Sequence, residues 1–168
     1  MLASGNDAAV ALAEYYSGSV DAFANEMNAA AQAIGATNSH FVNPNGLPDE
    51  NHYTTVYDMY LIFAKAISLD SFVNIISSTS YDASYTDADG ETVEKTWSNT
   101  NKYLTGEEDA PDGITVIGGK TGTTNAAGHC LILYVRDTSG NPYISVILRS
   151  TSTDVLYSEM VDLLDEIN

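Results

Sequence analysis

The 168 residues fit a single domain and, at 44% hydrophobic, can bury a core. Six Lys and Arg against 23 Asp and Glu leave a net charge of −17, which disfavours nucleic acid and anionic membranes as partners and singles out Lys102, Lys120 and Arg149 as positive points. One cysteine excludes an internal disulfide, the histidines His40, His52 and His129 lack metal-ligand spacing, no run approaches the ~18 apolar residues of a membrane span, and no secretory signal is visible.

In chain order, Ala8 to Tyr16 reads as a helix that Ser4 or Asn6 can cap and that Ser17-Gly18 breaks. A second helix is predicted from about Val20 to Ile34, with Val20, Phe23, Met27, Ala30, Ala31 and Ile34 on one face. Ser19 suits its N-cap and Gly35 its C-terminal stop. Asn38 to Pro48, rich in Asn, Pro and Gly, is a long loop of the kind that packs specifically or borders a site. Thr55 with Asp58 resembles a capping box, and the helix it opens carries Val56, Met59, Tyr60, Phe63 and Ile67 on one face. Ser71 to Ile76 reads as a further short helix.

At Ser80 the period changes from helical to alternating. Tyr81, Ala83 and Tyr85 alternate with polar residues, Asp89-Gly90 supplies a turn, and Glu91 to Thr96 returns as the second strand of a hairpin. Asp87 to Glu91 has too few ligands for a calcium loop and reads as a solvated turn. Trp97-Ser98-Asn99-Thr100-Asn101 suggests a hydrogen-bonded loop anchored on the aromatic ring. Residues 128–136 and 142–149 form a second hairpin. In its second strand Tyr143, Ser145 and Ile147 face one way, and Ile144, Val146 and Leu148 the other. Cys130 falls in an apolar run and reads as a buried, inert thiol. A last helix, capped by Ser152 or Thr153, buries Leu156, Met160, Leu163, Leu164 and Ile167. Helices, then a hairpin, then sheet strands, then a helix make an α+β arrangement with a mainly antiparallel sheet. It is one domain over 1–168, with a helical part at about 4–79 and a hairpin-and-sheet part at about 80–168.

The stretch Gly118-Gly119-Lys120-Thr121-Gly122-Thr123-Thr124 carries the chemistry. Glycines admit close backbone approach, and a lysine with threonine hydroxyls can hold a carboxylate. A phosphate-binding loop needs glycine five residues before Gly119, where Ile114 stands, and needs a helix to follow. Two readings stay open on this stretch alone, a plain turn with an exposed lysine and the Lys-Thr-Gly motif of penicillin-recognising serine enzymes.

Taken together, the motifs resemble those of D-alanyl-D-alanine carboxypeptidases, the low-molecular-mass penicillin-binding proteins. Ser4-Gly5-Asn6-Asp7-Ala8-Ala9 is similar to the family's Ser-x-Asn-Asp-Ala-Ala. Asn43-Pro44-Asn45-Gly46-Leu47 with His52-Tyr53-Thr54-Thr55 resembles its Asn-Pro-x-Gly-Leu and His-Tyr-Ser/Thr-Thr. Trp97 to Asn101 matches Trp-x-Asn-Thr-Asn, and Lys120 to Thr124 matches Lys-Thr-Gly-x-Thr. The motifs keep the family's order over essentially the whole chain. One departure stands out: the residues three before Lys65, Lys95, Lys102 and Lys120 are Ile62, Thr92, Asn99 and Ile117, so the nucleophile motif Ser-x-x-Lys is missing. The chain is therefore expected to be the C-terminal part of such an enzyme, with a truncated β-lactamase/transpeptidase-like fold.

The resemblance implies a serine peptidase that trims peptidoglycan stem peptides ending in D-Ala-D-Ala through an acyl-enzyme, binds β-lactams when complete, faces the cell wall outside the cytoplasm, and uses no metal or cofactor. Ser4 would relay a proton to the leaving amine, Asn6 would orient the substrate amide, and Lys120 would hold the Ser4 hydroxyl. Thr121 and Thr123, flanking Gly122, would bind the terminal carboxylate, and the Thr123 N–H would form half of the oxyanion hole. Arg149 would assist with that carboxylate or form a surface ion pair. Without a nucleophile the chain alone is expected to be inactive. Its last strand, lacking a neighbour, is expected to form a dimer or swapped assembly through the exposed sheet edge, and its last helix to lose part of its support. Rival readings are a non-catalytic module binding cell-wall peptide or a partner, and a class A β-lactamase, against which the Trp97–Asn101 and Asn43–Leu47 motifs argue.

Overall fold

The computed structural model describes residues 1–167. Two helices open the chain, α1 (Asn6–Ser17) and α2 (Val20–Ala33). Neither Ser4 nor Asn6 caps α1: Gly5 takes the N-cap position without a side-chain bond, and Ser4 before it is in the left-handed region at φ 53°. Ser19 does cap α2, its Oγ accepting from Ala22 N at 3.1 Å. The small residues Ala13, Ala24 and Ala31 are the buried ones. On the predicted face of α2, Ala31 is buried, Val20, Phe23, Met27 and Ile34 are half-buried, and only Ala30 is exposed.

The long loop between α2 and α3 (Val56–Ala66) packs specifically. Asn28 of α2 bonds both backbone groups of Phe41, accepting from its N–H at 2.8 Å and donating to its carbonyl at 2.7 Å. His40 and Tyr53 pair as a two-residue bridge. Thr55 caps α3 by accepting from Asp58 N at 3.1 Å, but the Asp58 carboxylate does not complete a capping box. Asp58 is fully buried, and its Oδ2 accepts from Asn38 N and Ser39 Oγ, each at 2.7 Å. Met59, Phe63 and Ile67 of the predicted α3 face pack inward, while Val56 and Tyr60 are exposed. The short helix α4 spans Asp70–Ile76.

The hairpin of β1 (Ser80–Thr86) and β2 (Thr92–Ser98) is a separate two-stranded antiparallel sheet. Its turn is closed by Asp87 Oδ1, which accepts from Asp89 N and Glu91 N. Trp97 does not anchor the following loop, because its ring stacks on Tyr85 within the hairpin. The anchors are Asn99, which donates to the Ser78 carbonyl at 2.9 Å and accepts from Asn101 N at 2.9 Å, and Asn101, which caps the one-turn helix α5 (Lys102–Thr105).

Strands β3 (Thr115–Thr124), β4 (Gly128–Arg136) and β5 (Pro142–Ser150) form an antiparallel sheet in the order β3-β4-β5. Helix α6 (Thr153–Asp165) follows, capped by Ser152. The sheet is the middle of three layers. On one face Leu131, Leu133 and Val135 meet Leu156, Tyr157, Met160 and Leu164 of α6. On the other, Ile132, Ile144 and Val146 meet Phe63 and Ile76. The inward alternation of β5 is thus as predicted, with Tyr143 and Ile147 toward α6. Burial of each such side chain contributes about 1.5–3 kcal/mol. The predicted inner face of α6 is corrected in one place: Leu163 is 39% exposed and Tyr157 is buried instead. Leu156, Tyr157, Met160 and Leu164 are buried against the sheet, and Ile167 is half-buried.

Candidate functional site

The Gly118–Thr124 stretch is not a turn. It lies inside β3, paired along its length with β4 (Gly118 opposite Tyr134, Lys120 opposite Ile132, Thr123 opposite His129). Its first two glycines answer to packing. A Cβ on Gly118 would meet the Ile76 carbonyl oxygen at 2.6 Å, and one on Gly119 would run into the Ile132 carbonyl. Gly122 differs, since nothing lies within 4 Å of the place a Cβ would take. It opens onto a cleft.

That cleft, of about 400 Å³, is lined by Ser4, Asn6, Thr121, Gly122 and Thr123 among others. Ser4 and Lys120 touch: Lys120 Nζ donates to Ser4 Oγ at 2.8 Å and to the Thr121 carbonyl at 2.5 Å. Burial holds the Lys120 ammonium pKa below its ordinary value. Lys120 sits behind Ser4 rather than in the cleft, in a narrow gap with Leu2, Ile75 and Ile76. Five of the six residues singled out from the sequence therefore share one cavity, and the sixth is bonded to it through Ser4. No strand among the described residues pairs with the outer edge of β3.

The rest of the cleft lining was less legible. Thr100, Lys102, His129, Thr153 and Tyr157 line it. Thr100 and Thr121 are joined hydroxyl to hydroxyl at 2.5 Å, and Thr153 Oγ1 lies 3.1 Å from His129 Nδ1. Lys102 N donates to the Tyr157 hydroxyl at 3.0 Å, and burial pushes that hydroxyl's pKa up. Cys130 is corrected: it is only half-buried, lines the same cleft opposite Gly122, and its Sγ lies 3.5 Å from the Ala127 carbonyl. Arg149 is corrected too. It makes no ion pair among the described residues, where Lys102–Glu108 is the one salt bridge, and it adopts φ 66° at the end of β5 beside Gly128. No helix among the described residues is long and apolar enough to cross a membrane.

The family model described as D-alanyl-D-alanine carboxypeptidase matches residues 1–152. The chain is 36% identical over 132 residues to D-alanyl-D-alanine carboxypeptidase DacF of Bacillus subtilis, covering 77% of this chain and 31% of that protein. It is 32% identical over 172 residues to the D-alanyl-D-alanine carboxypeptidase of Streptomyces sp. strain K15, covering 98% of this chain and 57% of that protein. Among solved structures, the Streptomyces K15 DD-transpeptidase superposes with a TM-score of 0.88 at 31% identity, over 98% of this chain and 63% of the other. The D-alanyl-D-alanine carboxypeptidase of Mycobacterium tuberculosis H37Rv gives 0.79 at 27%, over 96% and 58%. The chain thus spans between about a third and two thirds of the length of these relatives, and its α+β fold is that of the DD-peptidases. By motif order, fold and matched length, the chain belongs to the D-alanyl-D-alanine carboxypeptidase family.

Proposed function

We propose that this chain forms the substrate-holding side of a serine-type D-Ala-D-Ala carboxypeptidase site acting on peptidoglycan stem peptides. The observation that carries this reading is the 2.8 Å bond from Lys120 Nζ to Ser4 Oγ, at the edge of a cleft lined by Thr121, Gly122 and Thr123. In the reaction a serine oxygen attacks the carbonyl between two D-alanines, the C–N bond breaks, and the terminal D-alanine leaves with a proton. Water then hydrolyses the ester. Ser4 relays the proton to the leaving amine, and Lys120 orients Ser4 and keeps the site positive. Asn6 positions the substrate amide. The Thr121 and Thr123 hydroxyls take the terminal carboxylate, with Arg149 at the same end of the sheet, and the Thr123 N–H supplies one oxyanion donor. Such a donor is worth about 100- to 1000-fold in rate.

The attacking serine is not among these residues, because the 168 positions contain no Ser-x-x-Lys. The chain alone therefore binds but does not acylate, and β-lactams bond covalently only where that motif is present. The missing motif also favours a second reading, a non-catalytic module for cell-wall peptide. An extracytoplasmic, wall-facing location follows from the substrate.

Intact-mass measurement after incubation with a penicillin tests the proposal. The expected result is an unmodified chain that still gives amide shifts at Thr121 and Thr123 when titrated with an acyl-D-Ala-D-Ala peptide. A stoichiometric penicillin adduct would place a working nucleophile within these residues, with Ser4 the first suspect, and overturn the assignment of roles.

A further inference from the structure

Resting on the reading above, we propose that Lys102 is a specificity-determining residue that recognises a second carboxylate on the peptide, distinct from its C-terminal one. The ligand class is a D-Ala-D-Ala peptide with a free inner carboxylate, preferred over its amidated form.

The cleft is an electrostatic exception on this molecule. The chain carries 23 Asp and Glu, yet no residue lining the cleft is acidic. Lys102 is the one lysine among its lining residues. Lys120, the other cation of the site, is already committed to Ser4 and the Thr121 carbonyl. A single terminal carboxylate held by Thr121 and Thr123 leaves Lys102 with Glu108 as its one carboxylate partner among the described residues.

The backbone of Lys102 is fixed while its ammonium is not. Asn101 is fully buried and caps α5, Lys102 N is bonded to the Tyr157 hydroxyl, and the Thr100–Thr121 hydroxyl pair ties the preceding residues to β3. The ammonium lies 5.3 Å from the centre of the Tyr157 ring, a surface on which it can slide. Its carboxylate partner, Glu108 at 3.4 Å, is a long, partly exposed contact of the kind that contributes little. A ligand carboxylate reaching the cleft wall replaces Glu108 at small cost, and Tyr157 and the loop backbone need not move.

The test is an amide-resolved NMR titration of the 168-residue chain with two synthetic acyl peptides ending in D-Ala-D-Ala. They differ only in that one inner residue carries a carboxylate or the corresponding carboxamide. The expected result is tighter binding of the carboxylate form by roughly three- to tenfold, equal binding of the two by Lys102→Met, and a larger preference in Glu108→Gln, where the competitor is removed. The Glu108→Gln arm stands if Lys102→Met fails to fold. Equal binding by the unaltered chain, with shifts at Thr121 and Thr123, overturns the role of Lys102 and leaves the D-Ala-D-Ala reading intact. A preference that survives in Lys102→Met, or one that does not grow in Glu108→Gln, likewise overturns it. Absence of any shift with either peptide overturns both.

Discussion

Replacing Asp58 should loosen the long loop before α3 more than any surface change in this region. The carboxylate is fully buried and its Oδ2 holds the Asn38 N–H and the Ser39 hydroxyl at 2.7 Å. Ser39 has a second partner in Thr54 Oγ1 at 2.7 Å, so Asp58→Ala strands chiefly the Asn38 N–H and leaves a small void. A hydrogen bond to a charged group contributes about 1.5–3 kcal/mol, and an orphaned buried donor costs about 1–3 kcal/mol. Allowing for the partner Ser39 keeps, Asp58→Ala should cost about 3 kcal/mol. At this chain length that lowers Tm by roughly 6–12 °C. Asp58→Asn is the sharper probe. Its carbonyl can accept both bonds, and its amide takes the place of Oδ1, which has no partner. The loss should be about 1 kcal/mol, the difference between charged and neutral acceptors. Urea unfolding followed by circular dichroism measures both, with the m-value unchanged. An Asp58→Ala variant within about 0.5 kcal/mol of the parent, the range of ordinary surface substitutions, would refute the idea that this carboxylate fastens the loop.

Two further outcomes are expected. Burial lowers the Lys120 pKa in the folded state, so the unfolded chain binds more protons between that lowered value and about 10.5. Stability should rise with pH across that window and level off above it, and Lys120→Met should flatten this slope in urea unfolding series at several pH values; an unchanged slope would reject burial of the ammonium as its source. The outer edge of β5 is unpaired among the described residues, and we propose that two copies pair or swap through it. Sedimentation should show concentration-dependent association, and a monomer at all concentrations would remove that proposal.

The periodic parts of the fold were readable from the chain. Ser19, the Asp89-Gly90 turn and the inner residues of β5 work locally, through rules that need only near neighbours. What escaped depends on distant contacts. Gly118 and Gly119 suggested room for a ligand, whereas they make room for Ile76 and Ile132. Tyr157 replaced Leu163 on the buried stripe because its ring fills the space beside Tyr103, their centroids 5.2 Å apart. Motif order singled out Ser4, Asn6 and the Lys120 stretch, which the fold brings to one cleft. Lys102 stood out only by its charge. Its place on the cleft wall follows from the buried Asn101 cap and from Tyr157, 55 residues further along the chain.

The contact between Lys120 and Ser4 joins positions 116 residues apart. Bringing such distant points of a flexible chain together costs on the order of 4 kcal/mol in entropy, more than a bond to one charged donor returns. The contact therefore cannot organise the protein; it closes only after the sheet and its covering helices have put the two ends within reach. The Ser4 and Asn6 part of the cleft thus depends on the rest of the fold for its place. A core substitution far from it, harmless to overall secondary structure, should erode ligand binding well before the molecule melts.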